Sequence, residues 1–189
     1  MAAKGSILVI SGPSGSGKSS IVRQLLCDPR VVFSVSATTR RPRAGEVDGV
    51  HYHFLRPEQF RRRVEHGDFV EWAEVHGNLY GTLRQPMEEA VRAGQVYLLE
   101  IDVQGALQLK ELGVEASFVF LAPPRMEDLR DRLQARGTDP EDTIERRLKK
   151  ASDEMEERHR YDHIVVNDDI ERAVAEVRRI AGLEGPGKD

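Results

Sequence analysis

The chain has 189 residues, of which 39% are hydrophobic and 32% are charged, with a formal net charge of -4. This length favours a single domain with its own core, and the composition excludes an intrinsically disordered chain. Because no apolar run approaches the ~20 residues that cross a bilayer, and the first residues lack the apolar stretch of a signal peptide, we expect no membrane partner. The slightly acidic balance likewise predicts no nucleic-acid partner.

The chain contains a single cysteine, Cys27. It cannot form an internal disulfide, which fits a reducing compartment, so we expect a cytoplasmic protein. Free cysteines usually behave as small hydrophobic residues, and we expect Cys27 to be buried.

Short apolar runs alternate with helical patterns along much of the chain. Residues 7–10 form an apolar run typical of a strand buried on both faces, and helical spacing of apolar residues begins directly after Lys18. Further strand candidates are residues 31–35, 96–101, 118–121 and 164–166. The alternation predicts a three-layer α/β/α fold with a central parallel sheet.

Two stretches interrupt this alternation. Residues 36–85 are rich in glycine, aromatic residues and arginine, which suggests an inserted lobe of mixed α/β structure. Residues 125–158 are highly charged and carry two helical patterns with little apolar face, which suggests a mobile helical lid. We therefore expect one domain over residues 1–189, with a core made of residues 1–35, 86–124 and 159–185.

One motif carries specific chemistry. It matches G-x-x-x-x-G-K-[ST] between the first strand and the first helix, and consists of Gly12, Pro13, Ser14, Gly15, Ser16, Gly17, Lys18 and Ser19. Glycines allow the backbone N–H groups to surround a phosphate, and the helix N-terminus adds its dipole. Lys18 supplies a positive charge, and the Ser19 hydroxyl is placed for Mg²⁺. The motif predicts binding of ATP or GTP with Mg²⁺.

A second cluster of interest is basic. Arg40, Arg41 and Arg43 lie close together, with Tyr52 and then Tyr80 further along the chain. The cluster suits a phosphate dianion, because guanidinium groups bind phosphate in a bidentate manner. From the arginines alone, a solvated surface loop remains an equal alternative.

Taken together, several segments resemble the guanylate kinase family of P-loop nucleoside monophosphate kinases. Besides the phosphate loop, the resemblance covers residues 36–46, 71–73, 80–82, 100–105, 122–124, 136–138 and 166–168, in order and without large insertions. It implies an enzyme of purine nucleotide metabolism that phosphorylates GMP, and also dGMP, to GDP with ATP and Mg²⁺. ATP and GMP are the implied partners, and both a monomer and a homo-oligomer stay open.

The resemblance also implies a site for GMP. Its residues would be Ser36, Arg40, Arg43, Glu46, Tyr52, Glu71, Tyr80, Thr82, Glu100 and Asp102. The assignment of Glu71 is chemically sensible, because the Watson–Crick edge of guanine presents two adjacent N–H donors and a carboxylate accepts both. Glu100 stands where some members of the family carry Asp.

The family further implies residues for ATP and for catalysis. ATP would contact residues 12–20, including Ser20, together with Arg132, Arg136 and Asn167, of which Asn167 would lie near the adenine. Lys18, Arg40, Arg136 and Arg147 would be catalytic, and Ser19 and Asp102 would hold Mg²⁺, Asp102 through water. Two other functions stay open, a ribose 1,5-bisphosphate kinase and a non-catalytic guanylate-kinase-like interaction domain. The intact Lys18 and Ser19 disfavour the interaction domain, and Ser36 with Glu71 favours GMP.

Overall fold

The computed structural model describes residues 5–75, 77–135 and 141–185. Its main feature is a five-stranded parallel sheet with the strand order β2-β7-β1-β8-β9. The strands are β1 Ser6–Ser11, β2 Val31–Phe33, β7 Val96–Glu100, β8 Ser117–Ala122 and β9 His163–Val166. All five predicted strands are present, and β2 is two residues shorter than expected.

Helices cover both faces of this sheet because its strands are apolar on both sides. Leu8 and Ile10 of β1 pack with α1 Lys18–Leu25 and α7 Ile170–Ile180 on one face. Val9 packs on the opposite face, where α3 Arg84–Arg92 and α4 Val103–Glu111 lie. This alternation on one strand produces the predicted three-layer α/β/α core.

A second, smaller sheet lies within the segment that the sequence suggested as an insertion. It contains β3 Ala37–Thr38, β4 His53–Phe54, β5 Phe69–Val75 and β6 Asn78–Leu83, in the order β4-β3-β6-β5, with parallel and antiparallel pairs. Helix α2 Pro57–Glu65 packs on it through Phe60, whose ring stacks on Phe69 at 4.4 Å between centroids. This core is separate from that of the main sheet.

The charged segment forms two helices, α5 Met126–Ala135 and α6 Glu141–Glu156, followed by the 3₁₀ turn Glu157–Arg160. The two helices share a small apolar cluster of Leu129, Ile144 and Ala151. Within the described ranges, no helix has both the length and the apolar character that crossing a membrane requires.

The predicted burial of Cys27 is wrong. Cys27 follows the last turn of α1 and is exposed, while the apolar face of that helix is occupied by Ile21, Val22 and Leu25. Whether a cysteine at the end of a short helix is buried depends on the side of the helix that it faces, and the general preference of cysteine for burial does not show this.

Candidate functional site

The phosphate loop follows β1 at the carboxyl edge of the main sheet. Gly12 has a φ of +138°, and a Cβ there would lie 2.3 Å from the carbonyl oxygen of Leu121 on the neighbouring strand. Gly15 and Gly17 also have positive φ, at 90° and 97°. The sheet therefore approaches the loop so closely that only glycine fits at Gly12, and the backbone itself forms the loop's shape.

Lys18 begins α1 and turns back over the loop. Its Nζ donates to the carbonyl oxygens of Gly12 at 2.6 Å and Pro13 at 3.0 Å. Burial lowers the pKa of Lys18, and the carboxylates of Glu100, Glu154 and Asp102 oppose that shift. The ammonium group is thus held at the mouth of the loop, facing acidic groups from three other elements.

Two carboxylates from the end of β7 complete this half of the site. The Ser19 hydroxyl donates to Glu100 Oε1 at 2.7 Å. Asp102 caps α4, because its Oδ1 accepts the backbone N–H of Gly105 at 2.8 Å. Glu100 was predicted to lie in the GMP site, and its hydrogen bond with Ser19 also connects it to the predicted Mg²⁺ ligand.

The small sheet presents a buried carboxylate to the same space. Glu71 is 7% exposed, and its Oε1 accepts the Thr82 hydroxyl at 2.6 Å across the β5–β6 pair. The pKa of Glu71 is raised to about 7, mainly by burial and also by the nearby charge of Asp102, while the hydrogen bond from Thr82 opposes this shift. A buried carboxylate with only one hydroxyl donor beside it can accept hydrogen bonds from further N–H donors.

The arginine cluster is ordered by a glutamate. Arg40 donates to both oxygens of Glu46, at 2.8 and 3.0 Å, and Glu46 also accepts the backbone N–H of Arg43 at 2.7 Å. These donors lower the pKa of Glu46 to about 2. The Arg40 guanidinium lies 5.5 Å from the centre of the Tyr52 ring, and Tyr52 packs edge-on against Tyr80. Glu46 therefore contacts Arg40 and orients it.

One cavity of about 600 Å³ joins these two halves. Most predicted residues line it: Gly12, Ser14, Gly15, Gly17, Lys18, Ser19, Ser20, Ser36, Tyr52, Glu71, Tyr80, Glu100, Asp102 and Arg147. Others are outside the lining but contact the site, among them Thr82 on Glu71, Arg40 on Tyr52, Glu46 on Arg40, and Asn167 on the loop backbone. Arg136 and the side chain of Arg132 lie outside the described residues.

Two charged residues of the cavity were not predicted from the sequence. Lys150 and Glu154 line the cavity beside Arg147, and the Lys150 ammonium lies 3.4 Å from Glu154 Oε1. Lys150 lies three residues after Arg147, and Glu154 lies four residues after Lys150, so all three share one face of α6. That spacing is the signal that could have identified them once Arg147 was chosen.

The residues at the loop fit Mg²⁺. A hydroxyl from Ser19 and carboxylates from Glu100 and Asp102 are oxygen donors, which Mg²⁺ prefers. Among the described residues there is no group of three His, Cys, Asp or Glu able to hold a metal.

Comparison with known proteins identifies the family. The family model described as "Guanylate kinase" matches residues 4–182. A guanylate kinase from Prochlorococcus marinus is 46% identical, with 96% of this chain and 97% of the relative covered. One from Nitratidesulfovibrio vulgaris is 50% identical, with 92% and 84% covered. The crystal structure of guanylate kinase from Anaplasma phagocytophilum is 37% identical and superposes with a TM-score of 0.77, covering 96% of this chain and 87% of that one.

These similarities extend over almost the whole chain, so they include the main sheet, the small sheet and the charged helices together. They confirm the predicted fold class and the predicted class of enzyme. The phosphate loop and the Glu71–Thr82 pair lie within the matched residues, and the chain belongs to the guanylate kinase family.

Proposed function

We propose that this chain transfers the γ-phosphoryl group of ATP to the phosphate of GMP, giving ADP and GDP, and accepts dGMP in the same way. The observation that supports the proposal is the shared cavity, which is lined both by the phosphate loop and by the buried carboxylate of Glu71. The reaction breaks the bond between the γ-phosphorus and the β,γ-bridging oxygen of ATP, and forms one bond from the GMP phosphate oxygen to the γ-phosphorus.

The donor half positions the triphosphate. Backbone N–H groups of the loop and the N-terminus of α1 bind phosphate oxygens, and Lys18 exchanges the carbonyls of Gly12 and Pro13 for them. Ser19, with Glu100 and Asp102 nearby, would hold Mg²⁺, which would neutralise charge on the phosphates. Arg147, together with Arg132 and Arg136, would contact the transferring group from the lid.

The acceptor half selects and holds GMP. Glu71 accepts two adjacent N–H donors of guanine, while Ser36 and Thr82 complete the polar surface around the base. Arg40, Arg43, Tyr52 and Tyr80 bind the GMP phosphate, with Glu46 fixing Arg40. Because the attacking phosphate oxygen is already anionic, no general base is required, and catalysis comes from positioning and charge stabilisation.

The proposal also covers the location of the protein and its partners. We propose a cytoplasmic enzyme with ATP and GMP as its partners, without a nucleic-acid or membrane partner. The exposed thiol of Cys27 supports this location, since a reducing compartment keeps a surface thiol from oxidation.

The test is ADP release with ATP, Mg²⁺ and each of GMP, dGMP, AMP, CMP and UMP. Wild type should turn over GMP and dGMP, and Glu71→Ala should lower kcat/KM for GMP by about 10³-fold, because the base would lose its paired acceptor. Glu74→Ala, an exposed glutamate on the same strand, is the matched control and should retain activity. If the chain binds ATP but phosphorylates none of these nucleotides, the proposal is overturned in favour of a ribose 1,5-bisphosphate kinase or an interaction domain. An assay for phosphorylation of the sugar phosphate would distinguish these two alternatives.

A further inference from the structure

The residue directly after β9, Asn167, contacts the phosphate loop from behind. Its side-chain Nδ2 donates to the carbonyl oxygen of Ser16 at 2.7 Å, across 151 residues of sequence. Asn167 is 6% exposed, and Ser16 is fully buried. The contact is therefore a buried hydrogen bond between a side chain and the loop backbone, and it lies outside the cavity lining.

This hydrogen bond bears on the orientation of one peptide group. In a planar trans peptide the C=O and the following N–H point in opposite directions. Because Asn167 binds the Ser16 carbonyl, the N–H of Gly17 points away from Asn167, and Gly17 itself lines the cavity. Rotation of this peptide would break the bond and leave the Ser16 carbonyl buried without that donor.

Asn167 is itself held rigidly. Its backbone N–H donates to the carbonyl of Ala122 at 2.9 Å, which continues the pairing of β9 with β8. The fit against the loop is also close, because a Cβ on Gly17 would lie 2.2 Å from Asn167 Nδ2. The position of the amide thus comes from the main sheet, and the absence of a side chain at Gly17 leaves room for it.

Resting on the proposed binding of ATP at this loop, we propose that Asn167 is a positioning residue that holds the Ser16–Gly17 peptide with its N–H directed toward the phosphates. Asn167 acts through the backbone of the loop and on the phosphate groups of the nucleotide. This differs from a role in contacting adenine, which the family resemblance suggested, and the two roles predict different results for a ligand that has no base.

The first measurement is amide hydrogen exchange of the nucleotide-free protein, compared between wild type, Asn167→Ala and Asn167→Asp. Both variants remove the donor, and Asn167→Asp keeps the size of the side chain. We expect exchange of the Ser16 amide, whose N–H donates to the carbonyl of Pro13 within the loop, to become about tenfold faster in both, because the loop loses the hydrogen bond that holds it to Asn167. Unchanged exchange in Asn167→Ala would overturn the proposal.

The second measurement compares the dissociation constants of ATP and of tripolyphosphate, each with Mg²⁺, by calorimetry. Both constants should rise by the same factor, about tenfold, in Asn167→Ala, with the affinity for GMP unchanged as evidence of correct folding. Weaker binding of ATP with unchanged binding of tripolyphosphate would assign Asn167 to the adenine and overturn the proposal.

Asp168→Asn is the matched control, because Asp168 is the exposed neighbour of Asn167 and pairs with Arg172 on α7. It should leave both measurements unchanged. Since the exchange experiment uses no nucleotide, its outcome is separate from that of the proposed function: a wild-type chain without phosphotransfer to GMP would overturn the proposed function alone.

Discussion

The two halves of the cavity are built from different parts of the chain. The donor half is mostly backbone, a glycine-rich loop shaped by the strand beside it and by one asparagine. The acceptor half is mostly side chains, in which Glu71 depends on Thr82 and Arg40 depends on Glu46. A backbone site can bind phosphate from any nucleotide, whereas a side-chain site can distinguish one base from another.

The difference also extends to protonation. Backbone N–H groups do not titrate, but Glu71 has a pKa of about 7 because it is buried. The binding of the acceptor should therefore respond to pH near neutrality through a group that the donor half lacks. A variant in one half of the cavity should accordingly change the binding of the substrate of that half and leave the binding of the other substrate unaffected.

The largest effect is expected from Lys18→Met. Removal of the ammonium group should lower kcat by about 10³-fold, because Lys18 is the charged side chain of the loop and stabilises the transferring phosphoryl group. The dissociation constant for GMP, measured by calorimetry, should stay within about twofold of wild type if the two halves are independent. Lys149→Met, an exposed lysine on α6, is the control. Loss of GMP binding in Lys18→Met would break the distinction between the halves.

A smaller effect is expected from pH. Glu71 must be ionised to accept two N–H donors, and its pKa is about 7, so the ionised fraction falls about tenfold between pH 8 and pH 6. Between pH 8 and pH 6 the KM for GMP should rise by about that factor more in wild type than in Glu71→Gln, because the variant retains only the titration of the GMP phosphate. In Thr82→Val the midpoint should move upward, because the hydrogen bond from Thr82 lowers the pKa of Glu71. An identical pH profile in wild type and Glu71→Gln would contradict this account.

The same shift affects folding. Folded Glu71 keeps its proton to a higher pH than the unfolded chain does, so its contribution makes the free energy of unfolding fall as pH rises from about 4.5 toward 7. Glu71→Gln should remove this part of the pH dependence in denaturant titrations. A pH dependence equal to that of wild type would show that Glu71 does not carry the shift.

The smallest effect is expected from Glu46→Gln. The amide can bind only part of the Arg40 guanidinium, so Arg40 should lose its fixed orientation, and the KM for GMP should rise about fivefold while kcat with saturating GMP changes less. Glu58→Gln on α2 is the matched control, since Glu58 is exposed. An unchanged KM for GMP would mean that Arg40 is positioned without Glu46, through its contacts with Tyr52, Phe54 and the carbonyl of Arg41.

The sequence predicted the local features well. The five strands of the main sheet, the loop between Gly12 and Ser19 and the helix after it follow from short-range patterns, because apolar runs and glycine spacing act within a few residues. The resemblance to guanylate kinases identified the distant residues such as Glu71 and Tyr52, which no local pattern connects to the loop. Lys150 and Glu154 were not predicted, because their presence in the cavity depends on how α6 packs against the rest of the fold.

The sequence by itself determined which chemical groups this protein has, namely a phosphate loop, a cluster of arginines and a carboxylate suited to guanine. Only the tertiary structure decided which of these residues line the cavity and which contact other residues instead. Asn167 contacts the Ser16 carbonyl, and Glu46 contacts Arg40, while both had been assigned to substrates. The physical reason is that a hydrogen bond depends on distances of a few ångströms between groups far apart in the chain, and only the packed sheet brings Asn167 to the loop.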